Sequence, residues 1–138
     1  MTRVALVSCV KKKRDAAAPA CDLYLSQLFR GLRHYAETHA NVWYILSAEY
    51  GVLPPEKVIE PYERTLNKMP KRERLAWAEK VQEQLLDLLP AGAEVILLAG
   101  QRYRADIEPF LRDRGYSVCV PLEGLQIGKQ LQRLKQVS

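Results

Sequence analysis

The sequence contains few cysteines and no long hydrophobic run. Its three cysteines are widely spaced and form no C-x-x-C pair, so it has neither a disulfide framework nor the ligand spacing of a zinc site. No apolar run approaches the roughly 20 residues that a membrane-spanning helix requires. The first lysines follow the first apolar run, which is the reverse of a secretory signal. We therefore expect a cytoplasmic protein that contacts no membrane.

Several motifs of metal and nucleotide chemistry are also missing from the sequence. It has no H-E-x-x-H, no G-x-x-x-x-G-K-[ST] and no G-x-G-x-x-G, the motifs of zinc proteases, P-loop enzymes and dinucleotide-binding folds. Both histidines, His34 and His39, fall on a predicted helix away from the candidate site described below. We predict no metal, no cofactor and no nucleophile–histidine–carboxylate triad.

What the chain does contain is a globular composition with an excess of cations. Its 138 residues are 48% hydrophobic and 27% charged, which predicts one domain, residues 1–138, with a core of its own. The 21 lysines and arginines exceed the 16 carboxylates and give a net charge of +5. This excess permits binding to a polyanion such as nucleic acid but does not require it.

The order of apolar patterns predicts an α/β fold. Short apolar runs typical of buried strands occupy residues 3–10, 41–48, 94–99 and 116–121. Helical periodicity separates them and follows the last one, over residues 25–36, 75–88, 103–111 and 127–134. This alternation predicts a three-layer α/β/α domain with a four-stranded, mainly parallel sheet in the order 2-1-3-4. Residues 49–69 show no convincing helix or strand, and long connections of that kind are often functional.

Small and polar residues follow three of the predicted strands. Since the carboxyl ends of parallel strands meet at one edge, where open α/β sheets bind ligands, these residues are candidates for substrate binding. Turns also favour serine and glycine for purely structural reasons, which is the ordinary alternative. The candidates are Ser8 and Cys9 after the first strand, Ser47, Tyr50 and Gly51 after the second, and Gly100, Gln101, Arg102 and Tyr103 after the third.

Charged and aromatic residues near that edge suit nucleic acid. Lys11 belongs to a run of four cations at 11–14 that could contact phosphates, although such runs are often simply solvated. Among these cations, Lys13 could have the lowered pKa of an amine nucleophile. Glu49 and Glu60 are candidate bases for activating water. Tyr50 could stack on a base, as could Tyr62, or both rings could merely cover the core.

Part of the sequence resembles a known family. The run LSAEYGVL at 46–53, followed by Pro61 and Tyr62, resembles the YaaA family of peroxide-stress proteins. A small bacterial and phage domain of unknown function is more similar still, and this likeness covers almost the whole chain. It is carried by Ser8, Cys9, Lys11, Lys13, Leu23, Tyr24, Ser26, Pro121, Leu122, Gly124 and Leu125. The YaaA resemblance implies DNA binding, in preference to RNA, and a uracil-DNA-glycosylase-like sheet.

A weaker resemblance is to the catalytic domain of archaeosine synthase. Cys9 and Lys13 match its Cys-x-x-x-Lys, whereas Ser8 stands where that family has proline, and the following Tyr-x-Ser at 24–26 has a different spacing. This resemblance implies that Lys13 is a nucleophile acting on a base.

Together the residues and the resemblances predict an enzyme that processes a base in nucleic acid, by glycosylase-like or base-exchange chemistry. Two alternatives remain open at this stage. One is a non-catalytic DNA-binding protein of the YaaA type, for which the same cations and aromatic rings would suffice. The other is an enzyme that acts on a free nucleoside or nucleotide.

Overall fold

Five strands form the main sheet of the molecule. The computed structural model describes residues 2–8, 16–24, 27–62, 66–123, 129–130 and 132–134. In this part of the chain the main sheet has the order β4-β3-β1-β6-β7, and β2 pairs with β5 in a separate two-stranded ribbon. The strands are β1 (Arg3–Ser8), β2 (Ala18–Pro19), β3 (Val42–Ser47), β4 (Gly51–Leu53), β5 (Val58–Ile59), β6 (Glu94–Leu98) and β7 (Ser117–Cys119).

The central strands are buried because their sequences are apolar on both faces. Residues 4–8 of β1 and residues 95–98 of β6 are all buried, as expected for strands covered on both sides. The strands β3, β1, β6 and β7 run parallel to one another. Their register brings the carboxyl ends level, since Ser8 lies opposite Leu46 and Val7 lies opposite Leu98.

Helices connect the strands and bury their apolar faces. The helix α2 packs against β1 and β3, α3 against β4, and α5 against β7. Leu32 is buried from α2, and Val81 from α3, at positions where the sequence shows helical periodicity. The helices are α1 (Ala20–Leu23), α2 (Gln27–His39), α3 (Lys71–Leu88), α4 (Gln101–Arg104) and α5 (Glu108–Asp113), with a 3-10 helix at Leu66–Lys68.

The predicted sheet is correct in its parallel part and wrong in its strand count. The four expected strands lie in the predicted 2-1-3-4 order, as β3-β1-β6-β7. A fifth strand, β4, adds to the edge and pairs antiparallel with β3, so the sheet is mixed. Gly51 has a φ of 77° and lets the chain reverse between these two strands. Residues 49–69 are therefore not structureless, because they contain β4, β5 and the 3-10 helix.

The predicted helix at 103–111 is also wrong, since two short helices replace it. α4 ends at Arg104 and α5 begins at Glu108, with Pro109 in its first turn. Proline has no backbone N–H and clashes with the preceding turn, so one continuous helix cannot run through this position. Near the C-terminus residues 129–130 and 132–134 are helical, in the region of the fourth predicted helix. Leu134 is buried there and packs beside Gly31 of α2.

No helix among the described residues has the length and apolar character needed to span a membrane.

Candidate functional site

The carboxyl edge of the sheet brings three strand ends together. Ser8 is the last residue of β1, and Ser47 is the last residue of β3. The strand β6 ends at Leu98, and Gly100 comes two residues later. From β1 the chain moves to β3 on one side and later returns to β6 on the other. The gap between β1 and β6 is therefore the topological switch point, where open α/β sheets form a crevice. Cys9, Lys11 and Lys13 are predicted site residues that lie outside the described residues.

The side chain of Ser47 uses its whole hydrogen-bonding capacity. It is fully buried, at 0% exposure. Its Oγ accepts the backbone N–H groups of Glu49 at 3.2 Å and Tyr50 at 3.1 Å, and it donates to the hydroxyl of Tyr62 at 2.8 Å. A serine oxygen has two lone pairs and one proton. Because the backbone occupies both lone pairs, the proton of Ser47 is directed to Tyr62.

The hydrogen bonding continues from Tyr62 to a second tyrosine. The hydroxyls of Tyr62 and Tyr24 are 2.6 Å apart, and Tyr24 is only 2% exposed. We call Ser47, Tyr62 and Tyr24 the hydroxyl chain. The ring of Tyr50 meets the ring of Tyr62 edge-on, with centroids 5.7 Å apart. The hydroxyl chain therefore joins the end of β3, the segment after β5 and the end of α1 at one place.

The helix α3 holds the turn that follows Ser47. The indole N–H of Trp77 donates to the backbone oxygen of Ser47 at 2.8 Å. Two helical turns later, Gln84 Oε1 accepts the backbone N–H of Val52 at 2.9 Å. A side chain at Gly51 would collide with this same Gln84 oxygen. The predicted residue Gly51 is thus required by the fold itself, through both its positive φ and its close contact with α3.

The segment after β6 contains both buried and exposed candidates. Tyr103 is only 7% exposed and packs edge-on against Trp77, with ring centroids 5.7 Å apart. Its ring therefore offers no open face on which a base could stack. Gln101 and Arg102 are exposed. Gly100 has an extended backbone, and a Cβ there would meet nothing within 4 Å. Neither conformation nor packing requires a glycine at position 100.

The two candidate bases are both exposed. Glu49 directly precedes Tyr50 on the turn, and Glu60 directly follows β5. The structure brings Ser47, Tyr50 and Tyr62 together, and it leaves the acid–base assignment to Glu49 or Glu60 as a prediction.

A ribbon of backbone hydrogen bonds ties two connecting segments at this edge. The N–H of Ala20 donates to Lys57 O and the N–H of Cys21 donates to Pro55 O, both at 2.8 Å. Arg33 then donates to the backbone oxygen of Cys21 at 3.0 Å. Burial raises the pKa of the Cys21 thiol, although the nearby Arg33 charge acts in the opposite direction.

The amino edge of the sheet carries a separate, polar depression. It is lined by the start of β1, the start of β6 and the end of α2, and it contains Arg3, Glu94 and His39. Arg3 and Glu94 pair with each other at 3.5 Å. Since this cation and carboxylate largely cancel, the depression offers a ligand little net charge, and the carboxyl edge is the stronger candidate site.

Comparison with known proteins places the chain in a family. The sequence profile of a family of unknown function, DUF6884, matches residues 4–136. The chain belongs to the DUF6884 family. It is also 28% identical over 145 residues to the uncharacterized protein YfjM of Bacillus subtilis (strain 168), a match that covers 99% of this chain and 95% of YfjM. The membership agrees with the resemblance to a small domain of unknown function.

Three residues of the site in this DUF6884 protein were missed as site residues by sequence reasoning. Tyr24 is named in the sequence analysis only among the residues that carry the family resemblances. Those resemblances are the signal that could have identified it. Trp77 is buried in the core, as an apolar residue on a periodic helix is expected to be, and its N–H also holds Ser47. Gln84 had no signal, because its contact with β4 spans 32 residues of sequence.

Proposed function

We propose that this DUF6884 protein processes a nucleobase within nucleic acid, bound at the carboxyl edge of its sheet. The observation that supports the proposal most is the hydroxyl chain of Ser47, Tyr62 and Tyr24, together with the half-buried ring of Tyr50 beside it. The hydroxyl chain lies at the carboxyl edge of the sheet, where parallel α/β sheets bind ligands.

Rigid hydroxyls suit the recognition of a base edge. An extruded base presents hydrogen-bond donors and acceptors along its edge and a flat face for stacking. The backbone N–H groups that saturate Ser47 fix the direction of its proton, so Tyr62 is held by a partner that cannot reorient. Ser47 has no hydrogen bond left for a ligand, so its part would be to hold Tyr62, and with it the adjoining ring of Tyr50, in one orientation for contact with a base at little cost in entropy.

The proposed chemistry is cleavage or exchange at the bond between base and sugar. In a hydrolytic reaction, Glu49 or Glu60 would take a proton from water while the water oxygen bonds to C1′ of the sugar. The bond from C1′ to the base would break, and the base would leave with the electron pair of that bond and with the proton that the carboxylate gives up. In an exchange reaction, the amine of Lys13 would instead bond to C1′ as the bond from C1′ to the first base breaks and that base leaves with a proton. An incoming base would then bond to C1′ and displace the amine. We also propose that the fold has the three-layer arrangement of uracil-DNA glycosylases. The resemblances to the YaaA family and to archaeosine synthase support the proposal.

A non-catalytic nucleic-acid-binding protein is the second candidate. The exposure of Glu49 and Glu60 favours it, because catalytic groups commonly lie in a concave pocket that encloses the substrate. In that case Glu49→Gln and Glu60→Gln would leave binding unchanged or tighten it, since each removes a negative charge near phosphates.

The test measures base release and covalent trapping on the same substrates. Duplex and single-stranded DNA and RNA with normal and modified bases are incubated with the protein, and free base, abasic sites and borohydride-trapped adducts are measured. We expect base release that Tyr62→Phe reduces by at least tenfold. Tyr35→Phe, the same chemical change on α2, should retain full activity.

The variants assign the roles. Loss of nucleobase release in Glu49→Gln or Glu60→Gln identifies the carboxylate that acts as general base. Loss of the trapped adduct in Lys13→Ala identifies Lys13 as an amine nucleophile. Salt-sensitive binding without release from any substrate would contradict the enzymatic proposal and support the binding protein.

A further inference from the structure

A concentrated group of cations lies at the start of α3, outside the site described above. Residues 68–74 contain Lys68, Lys71, Arg72 and Arg74 but one carboxylate, Glu73. This short segment thus carries a net charge of three, against a net charge of +5 for the whole chain. Lys68, Lys71 and Arg72 are exposed, and Arg74 is partly exposed.

The fold places this segment at the carboxyl edge of the sheet. Trp77, three residues after Arg74, donates to the backbone oxygen of Ser47 at the end of β3. The 3-10 helix that contains Lys68 contacts α4, which presents the exposed Arg102. We call this group the cationic band: Lys68, Lys71, Arg72, Arg74 and Arg102.

Four arginines outside this group, Arg3, Arg33, Arg104 and Arg112, are paired with carboxylates. Arg33 lies within 3.1 Å of Asp22, and Arg112 lies within 3.1 Å of Glu108. For the band, no carboxylate of the described residues lies within 4.0 Å of a charged nitrogen. Neighbouring cations without carboxylate partners repel one another, and phosphate groups relieve that repulsion while releasing counterions.

We infer that the cationic band is a binding track for the phosphate backbone of nucleic acid. The strand that flanks the bound base would cross the 3-10 helix, the first turn of α3 and α4. This inference rests on the proposed function for the identity of the polyanion. It assigns the flanking phosphates to a second set of cations, separate in sequence from the lysines at 11–14.

The experiment measures the affinity for labelled duplex DNA at several salt concentrations. The variant Lys68→Gln, Lys71→Gln, Arg72→Gln, Arg74→Gln removes four cations of the band. The matched control is the quadruple variant at four exposed positions outside the band: Arg30→Gln on α2, Lys80→Gln more than one turn further along α3, and Lys129→Gln and Arg133→Gln near the C-terminus. Each variant loses two lysines and two arginines, so both have a net charge of +1 in place of +5.

We expect the band variant to lose the part of the salt dependence that its four cations supply. Each phosphate contact contributes about 0.9 to the slope of log affinity against log salt for duplex DNA and about 0.7 for single strands. Four lost contacts lower that slope by about 3 to 4. Between about 50 and about 200 mM salt, the wild-type affinity should then fall roughly 50- to 150-fold more than that of the band variant. The control should keep a slope within about one contact of the wild type.

The outcomes separate this inference from the proposed function. Equal slopes for the band variant and the control would overturn the band as a track, and base release by the wild type would still support the proposed function. A wild-type protein with neither salt-sensitive binding nor base release would overturn both. Thermal unfolding of both quadruple variants shows whether they fold. If one of them does not fold, the single variant Arg102→Gln still tests the band, because it should lower the slope by the contribution of about one phosphate contact.

Discussion

Removing the phenol oxygen of Tyr62 should orphan a buried hydroxyl. Ser47 is fully buried, and both of its lone pairs already accept backbone N–H groups. In Tyr62→Phe, the acceptor 2.8 Å away disappears, and we expect Ser47 to stay buried. Its proton then has neither a protein partner nor access to water, which is the situation in which a lost hydrogen bond costs most.

The size of the effect follows from what each substitution leaves behind. An unsatisfied buried donor costs about 1–3 kcal/mol, so we expect Tyr62→Phe to lower the free energy of unfolding by about 2 kcal/mol. Ser47→Ala removes the acceptor of two backbone N–H groups and costs a similar amount, about 2 kcal/mol. Once the serine hydroxyl is absent, however, Tyr62→Phe orphans nothing at position 47. The double variant should therefore be more stable than the sum of the single effects predicts, with a coupling energy of about 1–2 kcal/mol.

The assay is urea unfolding of the wild type, the two single variants and the double variant. The unfolding midpoints should shift while the slope with urea stays constant. For a chain of this length, each kcal/mol corresponds to roughly 3–5 °C in the melting temperature. Tyr35→Phe serves as the control, with an expected effect within about 0.5 kcal/mol. Additivity of the two single effects within about 0.3 kcal/mol would refute the directed hydrogen bond from Ser47 to Tyr62.

Four further predictions concern two glycines and a cysteine. Gly51→Ala should lower the free energy of unfolding by at least 1–2 kcal/mol, about the cost of a left-handed conformation for a residue with a Cβ, to which the collision with Gln84 adds; a neutral effect in urea unfolding would be inconsistent with this turn. Gly100→Ala should leave stability unchanged or raise it by up to about 1 kcal/mol and should weaken DNA binding if the substrate approaches that backbone; strong destabilisation would show that the fold needs this glycine after all. Burial raises the pKa of the Cys21 thiol above its ordinary value of 9.0. Cys21 should therefore react with iodoacetamide more slowly than the exposed Cys119. Peptide mass spectrometry after labelling at about pH 8.5, where a free thiol is partly ionised, measures both rates. The raised pKa means that the unfolded chain loses this proton first, so the contribution of Cys21 to stability is complete below pH 9.0 and declines as the pH rises through the folded-state pKa; the decline should be smaller in Cys21→Ser.

Long apolar runs made the parallel part of the sheet predictable. The strands β1, β3 and β6 are apolar on both faces, and each is followed by a helix or a turn with its own periodicity. The right-handed connection rule then favours the order in which they are found. In contrast, β4 and β5 have three and two residues, which is too short for any periodicity to show. They exist because β3 offers a free edge and because residues 18–21 supply backbone partners.

Residue types at strand ends were sufficient to name Ser47 and Tyr50 as candidates, and Tyr62 was named as an aromatic residue in the long connection at 49–69. The sequence could not reveal that the serine proton points to Tyr62, because that direction depends on two backbone N–H groups that the turn brings back onto Ser47. Nor could it reveal that Trp77 and Gln84 hold this turn, since their contacts span 30 and 32 residues. Periodicity records which side chains avoid water, and so it determines strands, helices and their order. Hydrogen-bond partners that are distant in sequence become neighbours only when those elements pack, and for that reason the tertiary structure alone decides the geometry of the site.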